Sequence, residues 1–375
     1  MAIEGELVVS IAAAAGRVTR AEARAERPRV AGALFRGRRA AEAAPLAGAL
    51  FALCGRAQSI AAGAAVEAAR GEEPGARRRI ARDTAIAAET AQEHAWRLLV
   101  DWPVLAGLPP EVEALAAGRK AIAPLLAADE GLDPAPAARA VRDWAEEAVF
   151  GSRPGHFLRL ANANDLLAWA REGRTGVARL AAKVLAGDAG LGASGVDFLP
   201  PGGGAALARE LALAIEGDEG FDDTPHWRGK PRETGPLARM AGHPLVADAL
   251  ATWGRGVGAR LSARLVETAL ALVSLDTARG EGHGHGALAL GPGSAIAWVE
   301  TARGLLLHRA ALDGERIAAW RIVAPTEWNF HPEGAFSRGA LGLAAGDAPG
   351  LERRVRWLVA SLDPCVGVRY EAGHA

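Results

Sequence analysis

The spacing of apolar side chains along this 375-residue chain predicts mostly helices. From Ala40 to Val149 apolar residues recur three and four positions apart, and the pattern is interrupted at Pro74-Gly75 and in the segment DWPVLAGLPP. Such periodicity with Pro/Gly breaks is typical of a series of amphipathic helices. The same pattern predicts further helices over 156–187, 204–216, 244–276 and 350–363, the last of them stopped by Pro364.

Two regions alternate in a way that predicts short β-hairpins. Residues 5–20 alternate loosely around Gly16. In GLLLHRAALDGERIAAWRIVAP, Asp313-Gly314 lies between two apolar runs and marks a hairpin turn. The segment RGEGHGHGALALGPGS before it is typical of a glycine-rich connection, and residues 216–236 are typical of a polar loop. The predicted fold class is mainly α with small β-hairpins (α+β), in a single domain over residues 1–375.

Composition narrows the function classes. Half of the residues are hydrophobic and the formal net charge is −1, which argues against a nucleic-acid partner. The longest apolar stretches, such as APLAGALFALCG, end after about a dozen residues and are too short to insert across a membrane. The N-terminal sequence lacks the basic and apolar regions of a secretory signal. We therefore expect a cytoplasmic protein.

The chain contains only two cysteines, Cys54 and Cys365, too few for a disulfide framework. Leu46, Leu50, Cys54 and Gln58 follow one another at steps of four, which predicts that Cys54 lies on a helix face with leucines. Such a cysteine is usually a small buried hydrophobic residue. Cys365 follows a helix-ending Asp-Pro pair. Reduced thiols are also what a metal ion would need.

Four stretches resemble, in chain order, the large subunit of nickel–iron hydrogenases. ALFRGRRAAEAAPLAGALFALCGRAQ is similar to that family's glycine–arginine stretch and first CxxC, and HWRGKPRETGPLAR to its GPLAR motif. VETARGLLLHRAALDGERIAAWRIVAPTEWNFHPEGA is similar to its E-x-P-R-G, hairpin and P-T-x-W-N-x-x-P run, and LDPCVGV to its terminal DPCxxC. The similarity covers nearly the whole chain and implies the hydrogenase large-subunit fold.

The departures from the family pattern affect the metal site. In the enzymes each of the two CxxC motifs supplies two thiolates. Of the four thiolates, two bridge nickel and iron and two bind nickel alone. Here the positions of the bridging cysteines hold Ala57 and Val368. Gly32 stands near the position of a proton-relay glutamate, and Ala302 replaces the proline of E-x-P-R-G. The resemblance therefore implies that neither a nickel site nor hydrogen cleavage is available to one chain.

The sequence CGRAQ in place of the first CxxC resembles the hydrogenase accessory proteins of the HupK/HoxV type, which are paralogues of the large subunit. The resemblance implies a maturation factor that is not an enzyme. It would act as scaffold or carrier for an Fe(CN)2(CO) fragment. Its expected partners are other hydrogenase maturation proteins and the hydrogenase large subunit.

Candidate site residues follow from the same resemblance. Cys54 and Cys365 would hold a single iron that already carries two cyanides and one carbonyl, since soft thiolates suit such a group. Arg303 and Thr326 stand where the family places the hydrogen-bond partners of cyanide. Pro325 and Trp328 would form an apolar wall that strengthens those contacts.

Other interpretations of these and neighbouring residues stay open. Arg303 could pair with Glu300 or an aspartate, and Thr326 and Asn329 could cap turns. We expect Asp363 to fix the Cys365 turn, His94 to pack between helices, and His331 to belong to a turn. His283 and His285 are expected in a solvated loop or, as a weaker alternative, at a metal site. Residues 76–82 are expected to form a solvated helix start or a docking site.

Two rival functions also fit the pattern. The first is a metal-free, protein-binding chaperone of hydrogenase assembly, since the quinone-binding subunit of respiratory complex I keeps this fold without metal ligands. The second is an active hydrogenase large subunit, which the missing bridging cysteines oppose. The sequence leaves open which partner delivers the cargo, whether metal is bound, and the oligomeric state.

Overall fold

The computed structural model describes residues 5–26, 30–51, 53–128, 131, 133–202, 204–277 and 284–372. Its helices are α1 Val30–Phe35, α2 Ala43–Leu50, α3 Gly55–Ala69, α4 Ala76–Trp96, α5 Trp102–Leu105, α6 Val112–Leu126, α7 Ala135–Ala145, α8 Pro154–Phe157, α9 Ala163–Glu172, α10 Gly176–Ala186, α11 Gly204–Gly217, α12 Pro236–Met240, α13 Pro244–Trp253, α14 Val257–Thr277, α15 Pro325–Asn329, α16 Ala335–Ala340 and α17 Ala348–Leu362. Its strands are β1 Glu6–Ala14, β2 Arg17–Glu26, β3 His285–Gly291, β4 Ser294–Thr301, β5 Gly304–Asp313, β6 Arg316–Val323 and β7 Gly367–Ala372. A 3₁₀ turn spans Ala40–Glu42, and π-helical turns span Arg97–Asp101 and Glu146–Phe150.

The predicted fold class, mainly helical with small β structures, is confirmed. The main hydrophobic core surrounds α14, which packs on α4, α7, α12 and α13. The helix predicted over 244–276 is in fact two helices, α13 and α14. The break falls at Gly254, which has a φ of 59°, and at Gly256, where a Cβ would lie 2.6 Å from the carbonyl oxygen of Ala189. Within the described ranges, no helix combines the length and apolar content that a bilayer span requires.

The prediction that Cys54 lies on a helix face with leucines is wrong. Helix α2 ends at Leu50, and Cys54 precedes the first residue of α3 with φ −139° and ψ 35°. The two helices approach closely through glycines, because a Cβ on Gly55 would lie 2.8 Å from the carbonyl oxygen of Gly48. The Cys54 carbonyl accepts the first helical hydrogen bond, from the backbone of Gln58 at 2.9 Å.

A four-stranded antiparallel sheet in the order β3-β4-β5-β6 separates two layers of helices. Ala297, Val299 and Leu306 face α3, whereas Ile296 and Leu307 face α11. The predicted hairpin turn at 313–314 is confirmed between β5 and β6. Strand β3 lies in the segment interpreted as a glycine-rich connection, so that interpretation is wrong for 285–291.

A three-stranded sheet has the order β2-β1-β7. The predicted N-terminal hairpin is confirmed as β1 and β2, although β2 extends to Glu26. Strand β7, which the sequence did not predict, runs parallel to β1, with Leu7 opposite Val368. This sheet packs on α16 and α17 through a separate cluster that includes Phe336 and Leu358. The pairing brings the C-terminal cysteine motif against the N-terminal strand.

Candidate functional site

The fold brings the two thiols together from opposite ends of the chain. Cys54 lies at the N-terminal end of α3, and Cys365 lies between the end of α17 and the start of β7. Both residues are partly buried. Burial raises the pKa of the Cys54 thiol well above its ordinary value, and the neighbouring Cys365 and then Glu89 raise it further. Cys54 is therefore protonated at neutral pH, and a metal fragment bound there would displace a proton.

Thr326 fixes the position of Cys365. It belongs to the short helix α15 and is 2% exposed. Its hydroxyl oxygen accepts a hydrogen bond from the backbone nitrogen of Cys365 at 3.1 Å and lies 3.0 Å from the Cys365 sulfur. The hydroxyl hydrogen can then point at the sulfur, as expected for a group that stabilises a thiolate.

Arg303 occupies the buried tip of the two-residue turn between β4 and β5 and is 2% exposed. Its Nη2 donates to Glu93 at 2.9 Å, and its Nε lies 3.4 Å from a carboxylate oxygen of Asp363. The ion pair with Glu300 that the sequence allowed is absent from the described structure, in which Glu300 pairs with Arg239. The aspartate alternative is the one observed.

Arg303 remains positively charged although it is buried. Burial alone would lower its pKa, but Asp363, Glu93 and the two cysteines outweigh burial and raise it. Among the residues that the structure describes, its Nη1 atom has no hydrogen-bond partner. A buried N–H donor without a partner is costly, so Nη1 is available to an added acceptor.

Asp363 ends α17 in a left-handed conformation, with a φ of 55°, directly before Pro364. Its carboxylate accepts hydrogen bonds from Arg97 at 2.7 Å and Arg264 at 2.8 Å. Burial alone would raise the pKa of Asp363, but Arg97, Arg303 and Arg264 together hold it far below its ordinary value. The predicted role of fixing the Cys365 turn agrees with this geometry. The π-helical turn that begins at Arg97 aims that side chain at Asp363.

Pro325 and Trp328, which were expected to form one apolar wall, pack in different parts of the structure. Pro325 is buried in the first turn of α15, where it precedes Thr326. Trp328 packs in the hydrophobic cluster between α11 and the sheet, with its ring 6.1 Å from that of Phe221. Asn329 accepts a hydrogen bond from the backbone of Thr234 at 2.9 Å and so ties the polar loop to α15.

A small polar cavity lies beside Arg303. Its lining includes Glu233, Arg260, Arg264, Arg303, Asn329 and Asp363. Arg260 pairs with Glu233 through two hydrogen bonds of 2.9 and 3.1 Å. The cavity thus continues the buried arginine–carboxylate network away from the thiols.

The histidines take structural positions. His94 is fully buried between Glu267, at 2.8 Å, and Arg264, at 3.2 Å, and burial lowers its pKa to about 4. His285 lies 3.1 Å from Asp83, and His283 lies outside the described residues. His331 accepts a hydrogen bond from the backbone of Glu333, in agreement with the predicted turn.

The remaining expectations concern metal clusters and the segment 76–82. Across the described part of the chain, no group of three or more His, Cys, Asp or Glu side chains is arranged to hold a metal ion. Segment 76–82 does begin a helix, α4. There Arg78 and Arg82 pair with Glu67 at 3.0 and 2.7 Å.

The positions that depart from the hydrogenase pattern have structural explanations. A Cβ on Gly32 would lie 3.0 Å from the carbonyl oxygen of Trp320, so α1 packs tightly on β6. Ala57 is fully buried in the first turn of α3. Val368 belongs to β7 and packs against the cluster beneath that sheet.

Sequence reasoning missed Glu89. Its two carboxylate oxygens accept hydrogen bonds from the backbone nitrogens of Arg56 and Ala57, each at 2.9 Å, at the start of α3. Burial raises the pKa of Glu89 to about 7 despite those bonds. A single acid inside the run AIAAETA was the available signal. Gln58 and His308 were missed as well; the signal for His308 was one polar residue in the apolar strand GLLLH.

Comparison with solved structures defines the class. The described structure is similar to NiFeSe hydrogenase from Desulfovibrio vulgaris Hildenborough (G491S variant), with a TM-score of 0.67, 17% identity, and coverage of 97% of this chain and 96% of that chain. The NiFeSe hydrogenase of Desulfomicrobium baculatum gives a TM-score of 0.59 at 16% identity, over 97% of each chain. The chain therefore has the fold of a nickel–iron hydrogenase large subunit. No family model matches it.

Sequence comparison identifies the family within this class. The hydrogenase expression/formation protein HoxV of Cupriavidus necator is 38% identical over 338 residues, which cover 84% of this chain and 83% of the relative. HupK of Bradyrhizobium diazoefficiens is 40% identical over 173 residues, covering 44% and 46% of the two chains. The chain belongs to the HoxV/HupK family of hydrogenase expression/formation proteins.

Proposed function

We propose that this protein is a non-enzymatic scaffold that holds an Fe(CN)2(CO) fragment between Cys54 and Cys365 during assembly of the nickel–iron cofactor. The fragment is cargo, to be passed on to the hydrogenase large subunit. The names of the relatives, hydrogenase expression/formation proteins, support a role in maturation. They also support other maturation proteins as partners.

The observation that carries the proposal is the Nη1 atom of Arg303. It is buried, lacks a partner among the described residues, and belongs to a guanidinium that interacts electrostatically with both cysteines. Cyanide nitrogen is a strong acceptor, and a charged N–H donor is its natural partner. A cyanide on an iron between the thiols would satisfy a donor that the protein leaves unpaired.

The donor set supports a single iron over a nickel–iron pair. Two thiols are present, and the described residues offer no third or fourth ligand. An iron with three diatomic ligands can be held by two thiolates, whereas nickel in the enzymes takes four sulfurs. Soft thiolates favour such an iron. We therefore expect no nickel in the purified protein.

Hydrogen-bond donors around the thiols support a cyanide-bearing cargo. Arg97, Arg264 and Arg303 converge on Asp363, while Arg97 also pairs with Asp101 and Arg303 with Glu93, so the cluster offers N–H donors rather than an excess of positive charge. Thr326, in the first turn of α15 just after β6, supplies a hydroxyl beside the Cys365 sulfur. Both types of donor suit cyanide ligands.

Infrared spectroscopy of anaerobically purified protein tests the proposal. The protein is isolated from cells that are assembling a nickel–iron hydrogenase, and iron per chain is measured on the same sample. We expect cyanide and carbonyl stretching bands from the unaltered chain, and their loss in Cys54→Ala and in Cys365→Ala. Ser59→Ala, on α3 outside the thiol pair, is the matched control and should retain the bands.

The same samples separate the rival functions. If the bands are absent and cells carrying either alanine variant still mature the hydrogenase fully, the scaffold hypothesis is wrong and the protein is a metal-free chaperone. Hydrogen uptake by the purified chain would instead make it a hydrogenase subunit. Loss of maturation with both alanine variants, and not with Ser59→Ala, supports the scaffold.

A further inference from the structure

The sulfur of Cys54 lies at the end of a buried hydrogen-bond chain. The side-chain nitrogen Nε2 of Gln58 lies 3.7 Å from the Cys54 sulfur. The side-chain oxygen Oε1 of the same residue lies 2.7 Å from Nε2 of His308, on strand β5. Gln58 is 2% exposed and His308 is fully buried, so water does not replace either contact.

The direction of each bond in the chain follows from the chemistry of the groups. An amide oxygen can only accept, so His308 donates to Gln58 from Nε2. Burial lowers the pKa of His308 to about 3, so the imidazole is neutral and its Nδ1 carries no proton. The amide group of Gln58 then directs an N–H at the Cys54 sulfur. His308 thus acts on the sulfur only through Gln58.

Packing alone does not account for His308. Its ring lies in the layer between α3 and the sheet, with Trp320 edge-on at 5.7 Å. Its Nδ1 has no hydrogen-bond partner among the described residues, and burying a polar atom in that way costs free energy. An apolar side chain would fill the same space without that cost. The hydrogen bond to Gln58 is what the histidine adds.

We propose that His308 and Gln58 are positioning residues that hold a hydrogen-bond donor against the Cys54 sulfur. The inference rests on the proposed function for its consequence: an N–H bound to the sulfur competes with iron for the sulfur lone pairs and weakens the iron–sulfur bond. Hydrogen bonds around a metal-bound cysteine sulfur tune the metal in this way. Cys54 is thereby suited to a cargo that must leave.

Thiol alkylation tests the chain without any cargo. Iodoacetamide is added to reduced, metal-free protein, and the alkylation rates of Cys54 and Cys365 are measured in one sample by mass spectrometry. A hydrogen bond to the sulfur stabilises the reactive thiolate. Gln58→Leu should slow alkylation of Cys54 by about two- to tenfold, the range expected for one hydrogen bond, and leave Cys365 unchanged.

Variants at His308 distinguish positioning from structure. His308→Phe should slow Cys54 alkylation in the same direction as Gln58→Leu, and His308→Gln, which restores a donor, should recover the original rate. The matched control is Gln92→Leu, at the only other glutamine of the chain. Equal Cys54 rates in the unaltered protein, Gln58→Leu and His308→Phe would overturn the proposal.

Nuclear magnetic resonance provides a readout in which Gln58 and His308 are themselves unaltered. Because the chain has two glutamines, ¹⁵N-glutamine labelling gives two side-chain amide signals, and Gln92→Leu assigns them. We expect slow solvent exchange of the Gln58 amide protons and a shift of their signals in Cys54→Ala. A Gln58 signal that is unaffected by Cys54→Ala contradicts the chain.

The cargo-bound protein tests the consequence. If the Gln58 N–H weakens the iron–sulfur bond, Gln58→Leu should retain more iron after dilution and deliver less to the hydrogenase. Iron lost at an unchanged rate contradicts that consequence. Failure of the scaffold hypothesis gives a different result: no iron is found in any variant, while the alkylation rates of Cys54 still change.

Discussion

The hydroxyl oxygen of Thr326 lies 3.0 Å from the sulfur of Cys365 and 3.1 Å from the backbone nitrogen of the same residue. One side chain therefore makes two contacts that tie the Cys365 turn to α15, although the two residues are 39 positions apart. The orientation of the C-terminal thiol therefore depends on this threonine.

Thr326→Val should destabilise the protein by about 1–3 kcal/mol, because it removes the hydroxyl that accepts from the partly buried backbone N–H of Cys365. It should also change the alkylation rate of Cys365 and leave that of Cys54 unaltered. Urea unfolding near neutral pH measures the first effect. Thr326→Ser keeps the hydroxyl and is the matched control; equal stability of the valine and serine variants would show that the hydroxyl is unimportant.

Arg303→Lys should weaken retention of the iron fragment about tenfold or more, since it removes a charge-assisted hydrogen bond but keeps the positive charge. Iron per chain and the intensity of the cyanide bands measure retention. Arg260→Lys is the matched control, because Arg260 is equally buried in the adjoining cavity but pairs with Glu233. Equal iron content in the two variants would remove Arg303 from the cargo site.

His94→Gln should flatten the dependence of stability on pH. The pKa of His94 is about 4 in the folded protein and 6.5 ordinarily, because burial disfavours the charged ring. Stability from the neutral histidine is therefore present above pH 6.5 and lost as the pH falls toward 4. Gln can donate to Glu267 and accept from Arg264 without titrating.

Over that window the unaltered protein should lose about 3 kcal/mol more than His94→Gln. Urea unfolding at several pH values measures the difference. Glu89 and His308 are present in both proteins, so their contributions cancel. His156→Gln, at an exposed histidine, should leave the curve unchanged. Parallel curves for the unaltered protein and His94→Gln would show that His94 is not held neutral.

Ala57→Cys should increase metal retention and reduce delivery to the hydrogenase, since it adds a thiol in the first turn of α3, close to Cys54. Metal analysis of the purified protein and hydrogenase activity of the cells measure the two effects. Val368→Cys is the matched control. Val368 pairs with Leu7 in the sheet and packs on its core, so a thiol there should not change retention. Equal retention in both variants would contradict this picture.

Local periodicity was sufficient for most helices and for both hairpins, because those elements depend on neighbouring residues. It failed at Cys54, where apolar residues continue through the break between α2 and α3. The two helices meet through the close approach of Gly48 and Gly55, a tertiary contact that the apolar spacing does not reveal. Gly286 favoured the wrong prediction of a glycine-rich connection for a similar reason. It occurs in strand β3 because a Cβ there would lie 2.4 Å from the ring of Trp298.

The candidate site was predictable as far as motifs reach. Arg303, Thr326 and Cys365 came from matched sequence stretches, and the structure brings them together. Glu89, by contrast, reaches the start of α3 from 32 positions away, and His308 reaches Gln58 from 250 positions away. Glu89 lies outside the matched stretches, and His308 lies in the hairpin between two of their motifs, so only the packed structure shows what they contact.

Strand β7 forms one edge of its sheet and pairs in the described structure with β1, while Val368 and Tyr370 pack on the cluster beneath the sheet. Cys365 lies two residues before this strand, whereas Cys54 directly precedes α3, which packs against α4 and the larger sheet. Detachment of an edge strand is a local opening that costs less than global unfolding. The two thiols therefore belong to regions of different local stability. We therefore expect Cys365 to be uncovered more often than Cys54 in the metal-free protein.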